Sequence, residues 1–285
     1  MVRTSSFAGM AQVIVGQPLD TIKVRLQVDQ SRFKGAWDCG VQTVKNEGFF
    51  ALYKGMASPL VGIGAVNALL FAANSRIKKA MQTHPDDPLS IGQIALAGAG
   101  AGIVNSVLAS PVELLKIKMQ AQYGSASTGQ TSYYKGPIDC VKHLIRQHGF
   151  GNGFLLWGMS ATVAREIPAY AGFYAGFETM RRTLTRDQQE PASVWQLMAS
   201  GATGGISYWL ACYPLDVVKS VAQNEATPPK GFYIIRILLQ IYARDGVQGL
   251  FRGITPSIVR SIPAAAVTFT TYELSMRAFE SAGWV

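Results

Sequence analysis

Charge is scarce in this chain. Only 15% of its 285 residues are Asp, Glu, Lys or Arg, against about 25% in an ordinary soluble domain. Basic residues still outnumber acidic ones, 26 to 17, for a net charge of +9 and a pI near 9.5. Such an excess invites a nucleic-acid partner, but the chain is too apolar to carry the long basic face that such a partner needs. Cysteine is scarce as well. Cys39, Cys140 and Cys212 are odd in number and far apart, which excludes a disulfide scaffold. With only His84, His143 and His148 to help, no zinc site is expected. No nucleophile–base or metal constellation stands out, so neither an enzyme nor a cofactor is expected. Disorder is excluded by 48% hydrophobic residues in recurring apolar segments.

What remains is apolar length. Windows 55–75, 91–112 and 192–215 contain no Asp, Glu, Lys or Arg, and each reaches the roughly 20 residues that a membrane-spanning helix needs. Three further apolar stretches are 4–19, 149–177 interrupted by Arg165 and Glu166, and 253–272 interrupted by Arg260. Six spans are therefore expected, two with charge near mid-length. The N-terminus lacks the small-residue cleavage site of a secretory signal, so 4–19 reads as part of the first helix.

The chain repeats itself three times. Gln17-Pro18-Leu19-Asp20-Thr21-Ile22-Lys23 recurs as Ser110-Pro111-Val112-Glu113-Leu114-Leu115-Lys116 and as Tyr213-Pro214-Leu215-Asp216-Val217-Val218-Lys219, each followed by a Gln, at Gln27, Gln120 and Gln223. The prolines are 93 and 103 residues apart. Nine residues before each lies Gly9, Gly102 or Gly205, and four earlier Ser5, Gly98 or Gly201, a small-residue spacing that lets membrane helices approach closely. After each motif come Phe33-Lys34-Gly35, Tyr134-Lys135-Gly136 or Pro229-Lys230-Gly231, then an amphipathic stretch ending at Glu47-Gly48, His148-Gly149 or Asp245-Gly246. Next come Tyr53-Lys54-Gly55, Leu156-Trp157-Gly158 and Phe251-Arg252-Gly253. Spans are expected near 4–29, 54–81, 90–122, 154–184, 192–224 and 251–280, and short surface helices near 36–46, 137–147 and 232–243. Segments 82–90 and 185–191 read as loops.

These triplicated Pro-x-acid-x-x-Lys motifs resemble the mitochondrial carrier family over essentially the whole chain. The resemblance implies one all-α membrane domain over 1–285, built from repeats 1–84, 85–187 and 188–285. Each repeat has two transmembrane helices and a short amphipathic helix on the matrix side. Acid and Lys three apart share a helix face, so three acids and three bases can close a ring. By symmetry the pairs are Asp20–Lys116, Glu113–Lys219 and Asp216–Lys23. The resemblance makes them a matrix gate, with Gln27, Gln120 and Gln223 bracing it; static ionic glue is the other reading. A cytoplasmic gate is implied at the ends of the even helices, through Lys78–Glu178 and Arg181–Glu273. Ser75 and Met276 occupy the missing third pair, and snorkelling surface charge is the other reading.

Charged residues deep in a membrane are functional candidates. Arg165 and Arg260 each lie thirteen residues before a gate acid, about 20 Å inward at about 1.5 Å per residue, and Gly62 is their counterpart in repeat one. These match the family's substrate contact points. Arg165 and Arg260 suit a carboxylate, and Glu166 and Trp209 suit an ammonium. Asn67, Asn105 and Tyr170 are further lining residues, or simply helix packing. The Arg-Glu pair resembles the family's amino-acid and carnitine/acylcarnitine branch. Val66 stands where that branch's basic-amino-acid carriers have an acid, which argues against lysine, arginine and ornithine.

The resemblance also implies cardiolipin at Gly35, Gly55, Gly136, Gly158, Gly231 and Gly253, where helix N-termini can bind phosphate; plain helix starts are the bland alternative. It implies a location in the mitochondrial inner membrane, both termini toward the intermembrane space, as a monomer or within a larger inner-membrane complex. Two functions are carried forward: alternating-access transport of an amino acid or carnitine derivative, by exchange or uniport, and a carrier-fold structural subunit with little transport.

Overall fold

The computed structural model describes residues 2–29, 32–82, 88–122, 134–185 and 192–281, the side chains of 2–8, 265, 269 and 272–281 excepted. Among the described residues there are nine α-helices and no strand. Six are long: α1 (Val2–Val28), α3 (Ala57–Met81), α4 (Ile91–Gln120), α6 (Met159–Leu184), α7 (Val194–Asn224) and α9 (Ile254–Ser281). At 25–31 residues they extend roughly 37–47 Å, more than the hydrocarbon core of a bilayer. Three are short: α2 (Ala36–Glu47), α5 (Pro137–His148) and α8 (Tyr233–Leu250). Most of the two inter-repeat loops lies outside the described residues.

The long helices form a ring in chain order that closes where α9 meets α1. The seams between repeats, α3–α4, α6–α7 and α9–α1, are extensive. Inside the repeats the packing is unequal: α4 and α6 are closely packed, while α1–α3 and α7–α9 touch far less. Glycine spacing explains the difference. A Cβ on Gly98 would lie 2.6 Å from the Tyr170 carbonyl oxygen, and one on Gly102 2.8 Å from that of Glu166, whereas one on Gly9 would find its nearest atom, on Ile63, at 3.4 Å. The shared small-residue motif closes repeat two and leaves the other two slack.

Polarity is turned inside out. Val61, Leu96, Val107, Leu210 and Ile262 face outward, while Asp20, Lys23, Arg165, Asp216 and Lys219 are buried. Water would penalise both choices; a lipid surround rewards both. On length and composition alone, two stretches among the described residues qualify as membrane-crossing, Phe49–Met81 and Ile91–Gln120. On the remaining long helices, Asp20, Lys23, Arg165, Asp216, Lys219 and Arg260 turn toward the ring's interior.

Each short helix packs beneath its repeat's first helix through its own apolar cluster. Leu26, Phe33 and Cys39 form the first, Leu114, Cys140, Leu144 and Trp157 the second, and Tyr213, Val217, Ile237 and Ile241 part of the third. Helices α2 and α5 end at Gly48 and Gly149, and Gly246 breaks α8 internally. All three have positive φ (85°, 81° and 64°) with ψ near 180°, a region that only glycine enters readily. The break explains why α8 runs past the expected end at 243. Single turns at Phe49–Tyr53 and Gly151–Leu155 lead into the even-numbered spans of repeats one and two, and all three even-numbered spans begin later than expected, at Ala57, Met159 and Ile254. Gly55, Gly158 and Gly253 then redirect the chain at φ 79°, 73° and 86°.

Candidate functional site

The end of the ring that carries the short helices is shut by charge. Lys116 pairs with Asp20, Lys219 with Glu113, and Lys23 with Asp216 at 2.7 Å. These are the three expected pairs, joining α1 to α4, α4 to α7 and α7 to α1. Each helix offers its acid to one neighbour and its lysine to the other, because the two are three residues apart on one face.

The glutamines depart from expectation. Gln27 Nε2 donates to Asp216 Oδ2 at 2.9 Å and so braces the Lys23–Asp216 pair. Gln120 and Gln223 instead donate to hydroxyls, of Thr21 at 3.1 Å and Thr162 at 3.4 Å. The reason is local packing. A Cβ on Gly158 would lie 2.6 Å from Gln223 Cγ and one on Gly55 3.3 Å from Gln120 Cγ, so both side chains are pressed against the turns that precede α6 and α3.

Below the ring lies a set of contacts that the motif reading missed. Arg25, fully buried, forks onto Glu47 at 2.6 and 3.0 Å and donates to the carbonyls of Gln120 and Gln122 at the end of α4. Lys118 donates to the carbonyls of Asn224 and Glu225 at the end of α7, and its Nζ sits 4.1 Å from the Trp157 ring centroid. Cations at a helix C-terminus satisfy its last carbonyls. Both residues lie seven positions after their proline, a spacing visible in the sequence; Val221 breaks it in repeat three. Burial would raise the Glu47 carboxyl, but Arg25 and Lys54 hold it below the usual range.

Above the ring a cavity of about 760 Å³ runs past Arg165 and Arg260 to Lys78 and Glu178. Arg165 donates to Tyr208, Glu166 and, at 2.9 Å, Glu113. Arg260 Nη1 lies 3.0 Å from the Asp20 carboxylate. Trp209 lines the same cavity, with the Lys23 ammonium 3.9 Å from its ring centroid. Arg165, Arg260 and Trp209 therefore share one space, and Asn67 and Tyr170 line it too.

Two candidates do not. Glu166 is 1% exposed. One residue on from Arg165 is about 100° round the helix, which turns it toward α4. There it is sealed behind Arg165, near the buried Asn105. Gly62 has no side chain to offer, and a Cβ there would lie 2.9 Å from Val112, which places it in the α3–α4 seam. Tyr208 was not foreseen. Its signal was the cavity-facing period of α7, eight residues before Asp216.

The opposite mouth is unpaired across helices among the described side chains. Glu178 is held by Arg181 at 2.6 Å and Arg182 at 2.7 Å on its own helix, and the Lys78 ammonium lies 5.3 Å from the Tyr174 ring centroid. The expected Lys78–Glu178 pair is not formed. Partners three and four residues along one helix are always in reach, and the Lys78 ammonium, which does reach α6, settles by the Tyr174 ring instead of the Glu178 carboxylate. Glu273 and Met276 fall outside the described side chains.

The six candidate lipid glycines divide into two groups. Gly35 and Gly136 cap α2 and α5, and Gly231 precedes the α8 cap Phe232; a Cβ on any of the three would meet nothing within 4 Å. Gly55, Gly158 and Gly253 combine positive φ with close approaches of a Cβ to the next repeat of 3.0, 2.6 and 3.3 Å, a packing reason for glycine that needs no lipid.

A family model described as mitochondrial carrier protein matches residues 2–85, 87–188 and 190–282. The chain is 38% identical to the mitochondrial carnitine/acylcarnitine carrier-like protein of Arabidopsis thaliana, over 95% of each chain. It is 39% identical to the mitochondrial glycine transporter YMC1 of Saccharomyces cerevisiae, over 94% of this chain and 88% of that one. It is 35% identical to the mitochondrial basic amino acids transporter of Rattus norvegicus, over 92% of this chain and 84% of that one.

Proposed function

The chain belongs to the mitochondrial carrier family, and on that premise we propose that it carries a small carboxylate-bearing solute, an amino acid or a carnitine or acylcarnitine, across the inner membrane by alternating access. One observation carries the reading. Arg165 and Arg260 line a single cavity whose lining holds six cations (Lys23, Lys78, Lys116, Arg165, Lys219 and Arg260) against four carboxylates (Asp20, Glu113, Glu178 and Asp216), and Glu166, sealed behind Arg165, is a fifth carboxylate, which leaves one cation in excess. That excess of one positive charge suits a single carboxylate, and Arg supplies the matching fork. It opposes a solute with two cationic groups, so the likeness to a basic amino acids transporter is not extended to this chain's substrate. Aromatic side chains at Tyr170, Phe173, Tyr174 and Trp209 offer faces for an ammonium or an acyl group.

In this reading the three inter-repeat ion pairs are the closed matrix gate, and the mouth at Lys78 and Glu178 is the open cytoplasmic gate. Both termini then lie toward the intermembrane space. The chain works as a monomer, and cardiolipin phosphates cap α2, α5 and α8 at Gly35, Gly136 and Gly231. A carrier fold kept only as a structural subunit needs neither arginine in the cavity, and both are there. The reading is tested by uptake into proteoliposomes with a panel of amino acids, carnitine and acylcarnitines. Saturable uptake of at least one is expected; folded protein that takes up none contradicts it.

A further inference from the structure

We propose that Glu166 takes up a proton when Arg165 turns to the solute, so that this chain carries solute and proton together. The inference rests on the transport reading above and adds the coupled ion. Glu166 is a carboxyl deep in the span that the solute site does not use. It is 1% exposed and sealed behind Arg165. Ionisable groups at such depth mark ion and proton paths.

The charge of Glu166 has little support. Among the described residues Arg165 is its one ion-pair partner, and the Nη2 that serves it also donates to Glu113 at 2.9 Å. Glu113 has Lys219 as well. Around Glu166 stand Arg165 and Tyr170 on its own helix, Asn105 and Glu113 on α4, and Tyr208, Cys212 and Lys219 on α7. Two cations thus face two carboxylates. The cavity's excess cation lies elsewhere, where Arg260 and Lys116 share Asp20. When Arg165 turns its fork to a solute carboxylate, Glu166 is left dry and unpaired. A buried carboxylate so placed takes a proton rather than stay ionised.

The surroundings suit the neutral form. Glu166 Oε2 is buried without a hydrogen-bond partner, and so are both Nδ2 and Oδ1 of Asn105. A carboxylate only accepts, so it can serve Nδ2 but not Oδ1. A carboxyl donates through its O–H to Oδ1 and accepts from Nδ2. One proton therefore lets the two side chains satisfy each other. That proton comes from water at the open mouth, crosses with the solute, and leaves when Arg165 returns to Glu166.

Two measurements test this. In proteoliposomes at fixed lumen pH, the outside is made more acid within the range where the solute carboxylate stays ionised. Initial uptake by wild type should rise several-fold, and uptake by Glu166→Gln, which fixes the neutral form, should not respond. An equal response of the two overturns the proposal and leaves the transport reading intact. The second measurement needs no solute, and so separates failure here from failure of that reading. In infrared difference spectra against wild type, Arg165→Gln should show a protonated-carboxyl band that is lost when Glu166→Gln is added. A band absent from the single variant, or kept by the double one, overturns the proposal.

Discussion

Arg165 reaches an acceptor on three helices: Glu113 on α4, Tyr208 on α7 and Glu166 on its own helix α6. Truncating such a residue removes a solute contact and leaves buried carboxylates short of a partner, a loss of about 2–5 kcal/mol for a desolvated charge pair. Arg165→Ala should therefore lower uptake by at least about 30-fold at subsaturating solute, read as initial rates in proteoliposomes. The cysteines give a second test at this scale. Burial pushes the Cys39 thiol up to about 11 and the Cys140 thiol up to about 12. A raised thiol pKa means little thiolate, no more than about a thousandth at pH 8. Both should resist maleimide at pH 8 in the folded protein and react within minutes after denaturation, as followed by mass spectrometry. At this scale the sequence is legible where depth decides. Counting along a helix locates Arg165 and Arg260. It does not supply the rotation that turns Glu166 away from the cavity, nor the partners that divert Gln120 and Gln223 from their ion pairs.

Between residue and whole stand the helices, whose existence and order follow from apolar runs and the repeated proline motif. Their ends are less legible. Ser90 and Gln93 cap α4 reciprocally, at 3.2 and 2.8 Å, and Ser193 with Gln196 marks the start of α7 in the same way. These Ser-x-x-Gln signatures were readable as capping boxes. The late start of α6 was not, because a π-turn at Gly151–Leu155 has no distinct sequence signal. Gly149→Ala should lower stability by about 1–3 kcal/mol, since alanine cannot hold that backbone region cheaply, and thermal unfolding in detergent reads it. The slack in the ring is testable by contrast. Gly102→Ala drives a Cβ to 2.8 Å from the Glu166 carbonyl oxygen, whereas Gly9→Ala brings one only to 3.4 Å from Ile63. The first should cost about 1–3 kcal/mol as overpacking and the second distinctly less. Equal melting temperatures for the two variants would remove the explanation given for the tight α4–α6 seam.

Across the whole molecule, three similar repeats produce an unequal ring. The shared motif supplies the symmetric part, which is three lysine–acid pairs in a closed circuit. The unshared residues supply function. Repeat one has glycine where repeats two and three have Arg165 and Arg260, and only repeat two adds a glutamate behind its arginine. Ten charged residues line the cavity that the long helices enclose, although charge is sparse in the chain as a whole. The account's central claim is that one solute site, built on those two arginines, serves transport. The most direct test compares initial uptake by wild type, Arg165→Ala and Arg260→Ala in proteoliposomes, using whichever carboxylate-bearing amino acid or carnitine the wild type carries. The account predicts saturable wild-type uptake that both substitutions reduce by at least tenfold. Uptake by either variant at the wild-type rate, or none by folded wild type with any such solute, would contradict it.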